Sequence, residues 1–116
     1  MRYDIDPQPK PRMVRSDKWK KRKCTQAYWA FKDECRIKHL TFAKRDACIK
    51  FGIKMPKSWP DKLKSIMCGL PHQSKPDLDN LLKGLADAVY PENDSMISSY
   101  GRIEKVWAYN GFIEIT

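Results

Sequence analysis

The stretch KPDLDNLLKGLADA, residues 75–88, sets two aspartates, an asparagine and a lysine at the spacing D-x-D-N-x-x-K. Asp77, Asp79 and Asn80 put three oxygen-bearing side chains within four residues. Lys83 follows Asp79 by one helical turn and Asp87 follows Lys83 by another, while Asp94 arrives after the break YPEN. Hard oxygen ligands at this density suit Mg²⁺, which prefers octahedral oxygen coordination and keeps several waters. In phosphodiester hydrolysis such an ion polarises the phosphoryl oxygen, orients a water and neutralises the leaving oxygen. A lysine one turn away places a positive point charge toward the same phosphate. The set therefore has the parts of a metal-dependent nuclease. A purely structural use is open beside it: Asp77 or Asp79 as a helix N-cap, and Asp79 with Lys83 as an exposed ion pair worth about 0.3–0.5 kcal/mol. One cap needs only one aspartate, however, and a basic chain that gathers its acids in one place has a use for them against a phosphate.

The elements that must position these residues follow from pattern. Leu78, Leu81, Leu82, Leu85 and Val89 recur at i, i+3, i+4, i+7 and i+11, which predicts a helix over about 78–89 with Asp79, Lys83 and Asp87 on another face. DACIKFGIKM (46–55) alternates, with Ala47, Ile49, Phe51, Ile53 and Met55 on one side of a half-buried strand. TQAYWAFKDECRIKHL (25–40) reads as a helix whose apolar face is Tyr28, Phe31, Cys35 and either Ile37 or His39. Pro60 in the first turn and Gly69 as a stop bound a short helix between them. YDID is a short strand halted by the prolines of PQPKP. MISSYGRIEKVWAYNGFIEIT (96–116) reads as two strands joined in a hairpin at Asn110-Gly111. The order β-α-β-α-α-β-β predicts a small single α+β domain over 1–116, with helices on one side of a mixed or antiparallel sheet.

A length of 116 residues and a hydrophobic fraction of 41% suit one globular domain with a core of its own. No apolar run approaches the ~20 residues that span a bilayer, and MRYDIDPQPKPR lacks the apolar stretch of a signal peptide. The expected compartment is the cytosol, with no membrane partner. The cysteines at 24, 35, 48 and 68 match no zinc spacing; Cys35 and His39 share a helix face but lack a second ligand pair, so reduced structural thiols are expected.

The net charge of +9 is unevenly placed. Residues 1–57 carry 17 Lys and Arg against 6 Asp and Glu, whereas residues 58–116 carry 6 against 8. Eight of the cations fall in KPRMVRSDKWKKRK (10–23), within a basic, proline-rich loop at about 7–24. Lys10, Arg12, Arg15, Lys18, Lys20, Lys21, Arg22 and Lys23, with Lys75 beside the acidic motif, are the candidate phosphate contacts. Such contacts give affinity by counterion release and little base specificity.

The motif K-P-D-x-D-N-x-x-K-x-x-x-D-A, followed by NDSMI, closely resembles the RusA family of Holliday-junction resolvases, small endodeoxyribonucleases common in phages and prophages. The resemblance extends to PKPRMVRSDKW, to PKSWPDKLKSIMCGLPHQSKPDLDN and to the closing IEKVWAYNGFIEI. It implies that Asp77, Asp79 and Asp94 are the catalytic, metal-binding aspartates and that Lys83 is the essential lysine. It implies Mg²⁺ as cofactor, with Mn²⁺ substituting and no organic cofactor. It also implies a symmetric homodimer that nicks paired strands of a four-way or related branched DNA. Asn80 and Asp87 are expected beside the metal ligands rather than among them, Asp87 orienting Lys83 from one turn on. The chain departs from the family at Asn93, where Asp is common, and at Met96, where Gln is common. A different class of function is a catalytically silent module that binds branched DNA or RNA. The carboxylates discriminate, because a pure binder would gain affinity by losing them.

Overall fold

The computed structural model describes residues 1–10, 23–42, 45–91 and 94–116, with the side chains of 23–25 and of Asp94 outside the description. Its elements, in chain order, are β1 (Arg2–Tyr3), α1 (Lys23–Ile37), β2 (Ala47–Lys54), α2 (Asp61–Met67), α3 (Leu78–Val89), a 3-10 turn (Asp94–Met96), β3 (Tyr100–Ala108) and β4 (Phe112–Ile115). The sheet order is β1-β4-β2-β3, with β2 parallel to β3 and antiparallel to β4. This is the expected small α+β domain on a mixed sheet.

The alternation in β2 does what its pattern requires. Ala47, Ile49 and Phe51 are buried, and on the opposite face the half-buried Lys50 pairs with Glu104 at 3.4 Å. Against the apolar face stand Tyr28, Phe31 and Cys35 from α1 and Leu81, Leu85 and Ala86 from α3, with Ile113 and Ile115 of β4 completing the core. Short α2 buries no residue, and Ile66 is 60% exposed.

Three expectations are corrected. The hairpin at Asn110-Gly111 does not form, because β4 pairs with β2 and β1 while β3 pairs with the other edge of β2. Residues 55–99 give the chain the long crossover that a parallel partner needs, so β3 docks on one side of β2 and leaves the other side to β4. The most buried strand thereby takes an inner place, and burial outweighs the local turn signal. In α1, neither Ile37 nor His39 continues the apolar face: Ile37 is 71% exposed, and His39 leaves the helix with a φ of 54°. Leu40, beyond the helix, fills that part of the core instead. The first strand is shorter than YDID, ending at Tyr3, although Ile5 beyond it is buried.

Gly101 and Gly84 each mark a close approach of backbone to backbone. In β3 an extra residue interrupts the register between Ala47↔Tyr100 and Ile49↔Ile103, and a Cβ on Gly101 there would lie 2.7 Å from the Asp46 carbonyl. On α3, a Cβ on Gly84 would lie 2.8 Å from the Gln8 carbonyl and 2.9 Å from the Lys10 amide. The proline-rich segment 7–10 is thus seated directly on the helix that carries the acidic motif.

Candidate active site

The site is built on the entry to α3. Asp77 occupies the N-cap position in extended backbone, yet its side chain makes no capping hydrogen bond. Asp79 lies in the first turn. Both are exposed, as is Lys83 one turn later, and Asn80 is half-buried. The structural use left open by the sequence is therefore not taken up: Asp77 does not cap, and Asp79 and Lys83 form no ion pair with each other. The helix dipole favours anions at this end, which lets two carboxylates coexist with no cation bonded to either among the described residues. Beneath them Leu81 and Leu85 are fully buried, so the exposed residues stand on a helix anchored in the core.

Asp94 opens the 3-10 turn, and its side chain lies outside the description, as Asn93 does altogether. Among the described residues, no group of three His, Cys, Asp or Glu side chains is placed to hold a metal ion. The donor set that is described, two uncommitted carboxylates, is of the hard oxygen type that fits Mg²⁺ or Mn²⁺ and needs a third ligand from elsewhere. Cys35 and His39 offer no rival centre. Burial pushes the Cys35 thiol up to about 12, and His39 is exposed outside the helix.

The basic set divides. Arg12, Arg15, Lys18, Lys20, Lys21 and Arg22 lie outside the described residues, and Lys23 opens α1 with its side chain likewise outside them. Lys75 is exposed two residues before Asp77. Lys10 is held by Asp87, Nζ to Oδ2 at 2.5 Å. Asp87 is thus paired with the proline-rich segment, whereas its helical spacing pointed to Lys83. Sequence spacing carries no signal for a pair so far apart in the chain. The pair and the Gly84 contact together place the start of the basic stretch on α3. Nearby, the buried Tyr28 hydroxyl donates to the Gly84 carbonyl at 2.7 Å, and burial followed by the Asp87 charge pushes its pKa up to about 12.

The loop before α3 carries contacts that no sequence motif announces. Segment 69–72 runs along the outer edge of β3, with Gly69 N–H donating to Trp107 O, Trp107 N–H to Leu70 O and His72 N–H to Lys105 O. His72 is 4% exposed and lies against Trp107, ring centroids 4.3 Å apart, with Trp59 on the same indole. Lys105 donates from Nζ to the Ser74 and Pro76 carbonyls. The available clue was phase: Ile103, Lys105 and Trp107 alternate, and a lysine interrupts an otherwise apolar row.

Burial, and after it the charge of Lys105, lowers the pKa of His72. The fold favours the neutral ring, whereas the unfolded chain binds a proton at its ordinary value of about 6.5. Stability is therefore lost as pH falls below that value. The melting temperature is expected to decline as pH is lowered from about 6.5, and His72→Phe, which keeps a ring against Trp107, should flatten that decline. Equal slopes in parent and variant would assign the pH dependence to other groups.

Among the described residues, no helix is long and apolar enough to cross a membrane. No curated protein and no solved structure matches the chain. The family model for the endodeoxyribonuclease RusA matches residues 3–116. That span takes in the exposed acidic end of α3, both flanking segments, the end of β1 and all of β2, β3 and β4, and the chain belongs to the RusA endodeoxyribonuclease family.

Proposed function

We propose that the protein is a divalent-metal-dependent endonuclease that resolves Holliday junctions and related branched DNA by paired nicks from a homodimer. Family membership supports the nuclease activity, and the family's junction substrate supports the choice of DNA. The observation that carries the reading to particular residues is the state of Asp77. It stands at a helix N-cap, is exposed, and makes no capping bond, so its carboxylate serves no evident local structural purpose.

In this reading Asp77 and Asp79 from α3, with Asp94 from the turn that follows, hold Mg²⁺ or Mn²⁺. When bound, the ion supplies Lewis-acid polarisation of the phosphoryl group and offsets charge on the leaving oxygen. Lys83, exposed one turn from Asp79, donates to a non-bridging oxygen of the scissile phosphate as negative charge builds there. Lys75 and the basic stretch 10–23 neutralise flanking phosphates and hold the duplex arms without reading bases. Asp87 holds Lys10, the first cation of that stretch, on the same helix that carries Asp79 and Lys83. The twofold symmetry of a dimer matches that of a four-way junction and gives one nick per subunit.

The test is a substrate panel. The purified chain is incubated with a synthetic four-way junction, a linear duplex of the same sequence and single strands, with Mg²⁺ and with EDTA. Paired nicks in the junction alone, dependent on Mg²⁺, are expected. Equal cutting of the linear duplex would remove the branched-DNA assignment while leaving a nuclease.

A further inference from the structure

Lys105 stands where an apolar side chain is expected. In the parallel register it lies opposite Phe51, whose side chain is fully buried, so both leave the sheet on the face that packs against α1 and α3. Its neighbours on that face, Ile103 and Trp107, are apolar. An ammonium at the margin of such a face needs acceptors, and it has two: Ser74 O at 2.5 Å and Pro76 O at 2.6 Å. Charge-assisted bonds of this kind are stronger than neutral ones. It forms no ion pair with a carboxylate among the described residues.

These bonds fall where the loop has least other support. The backbone bonds that tie segment 69–72 to β3 end at His72, and α3 begins at Leu78. Between them, the Lys105 ammonium bonds the sheet to residues 74 and 76, with no other such link among the described residues. Pro76 directly precedes Asp77, and Asp77 has no capping bond of its own to fix its side chain. The direction of that carboxylate is therefore set by the backbone that enters it.

We propose that Lys105 is the positioning residue for the metal site: by holding the Ser74 and Pro76 carbonyls it fixes where the chain presents the Asp77 carboxylate. The proposal rests on the reading of Asp77 as a metal ligand. A functional group must be held to within about 0.5 Å of its productive geometry, and a supporting partner does this from outside the ligand set.

The experiment uses the full chain, its Lys105→Met variant, which keeps the stem and loses the donors, and Lys105→Arg, which keeps charge and donors. Three quantities are read: hydrogen exchange of the backbone amides flanking Asp77, Mn²⁺ affinity by calorimetry, and single-turnover junction cleavage as a function of Mg²⁺. In Lys105→Met, exchange should accelerate around Asp77 and not in β2. Mn²⁺ affinity should fall by ~10–100-fold, the scale for losing a group that orients a metal ligand. Cleavage should fall at low Mg²⁺ and recover toward the parent rate at high Mg²⁺, and Lys105→Arg should recover part of both losses. Junction affinity in EDTA should match the parent. Parent-like exchange, or parent-like Mn²⁺ affinity, in a folded Lys105→Met protein overturns the proposal. Should Lys105→Met fail to fold, Lys105→Gln, which keeps a neutral donor, takes its place: faster exchange around Asp77 with weaker Mn²⁺ binding supports the proposal, and parent-like values of either overturn it. If the parent itself binds no Mn²⁺, the metal reading of Asp77 falls, and the exchange comparison still decides whether Lys105 holds the loop.

Discussion

Asp77→Asn and Asp79→Asn are each expected to abolish junction cleavage while junction binding persists or tightens. The change is nearly isosteric and removes the charge, so any loss reports on the carboxylate rather than on shape. Neither side chain is buried, and Asp77 makes no capping bond. The cost to folding is then limited to the interaction with the helix dipole, about 0.3–1 kcal/mol. A direct metal ligand matters more than a partner that orients one, whose loss costs ~10–100-fold, so cleavage should drop beyond that range. Binding should move the other way, because removing a negative charge near the phosphate reduces repulsion. Asp94→Asn should behave alike if the third ligand comes from the turn after α3. The measurements are single-turnover cleavage in Mg²⁺, gel-shift affinity in EDTA, and thermal melting. Parent rates in all three variants would rule out a metal site at these aspartates.

Lys83→Ala is expected to slow cleavage by ~10²-fold or more, the scale for losing one donor that acts in the transition state. Lys83 is exposed and forms no ion pair among the described residues, so stability should barely change. Ala is also a better helix former than Lys. A surface lysine with no role in the chemistry would give the same melting curve and a parent rate, so the rate alone separates the two cases. Lys83→Arg should recover only part of the rate, because a broad planar guanidinium does not reproduce a compact ammonium beside a metal. A normal rate in Lys83→Ala would leave the aspartates to be explained without it.

What was legible in the sequence was what local pattern controls. The stripe Leu78, Leu81, Leu82, Leu85 and Val89 gave α3 its limits and its buried face, and the alternation from Ala47 to Phe51 gave β2. That Asp79 and Lys83 stand exposed on α3, with Asp77 at its entry, was legible because their spacing on one helix already relates them. What was not legible depends on contacts between distant parts of the chain. Asn110-Gly111 is a strong hairpin signal, yet β3 and β4 are kept apart by β2, a choice made by the crossover through α3. Helical spacing relates Asp87 to Lys83, but its carboxylate goes to Lys10, brought there by a proline-rich segment that needs Gly84 beneath it. Lys105 showed only as a charge out of phase in a strand, and its partners are backbone carbonyls, which no side-chain pattern encodes. The end of α1 departs from its expected course because His39 takes a left-handed backbone, which a helical wheel does not anticipate.

If the exposed acidic end of α3 is a metal-dependent centre for cutting branched DNA, cutting must follow both the metal and the carboxylates. The most direct test is a Mg²⁺ titration of four-way-junction nicking by the full chain beside its Asp79→Asn variant, both at saturating protein. Paired nicks that rise with Mg²⁺ are expected in the parent, and none in the variant at any Mg²⁺ concentration although it still shifts the junction in a gel. Nicking by the parent in EDTA, or equal nicking by the variant, would contradict a metal centre at this site.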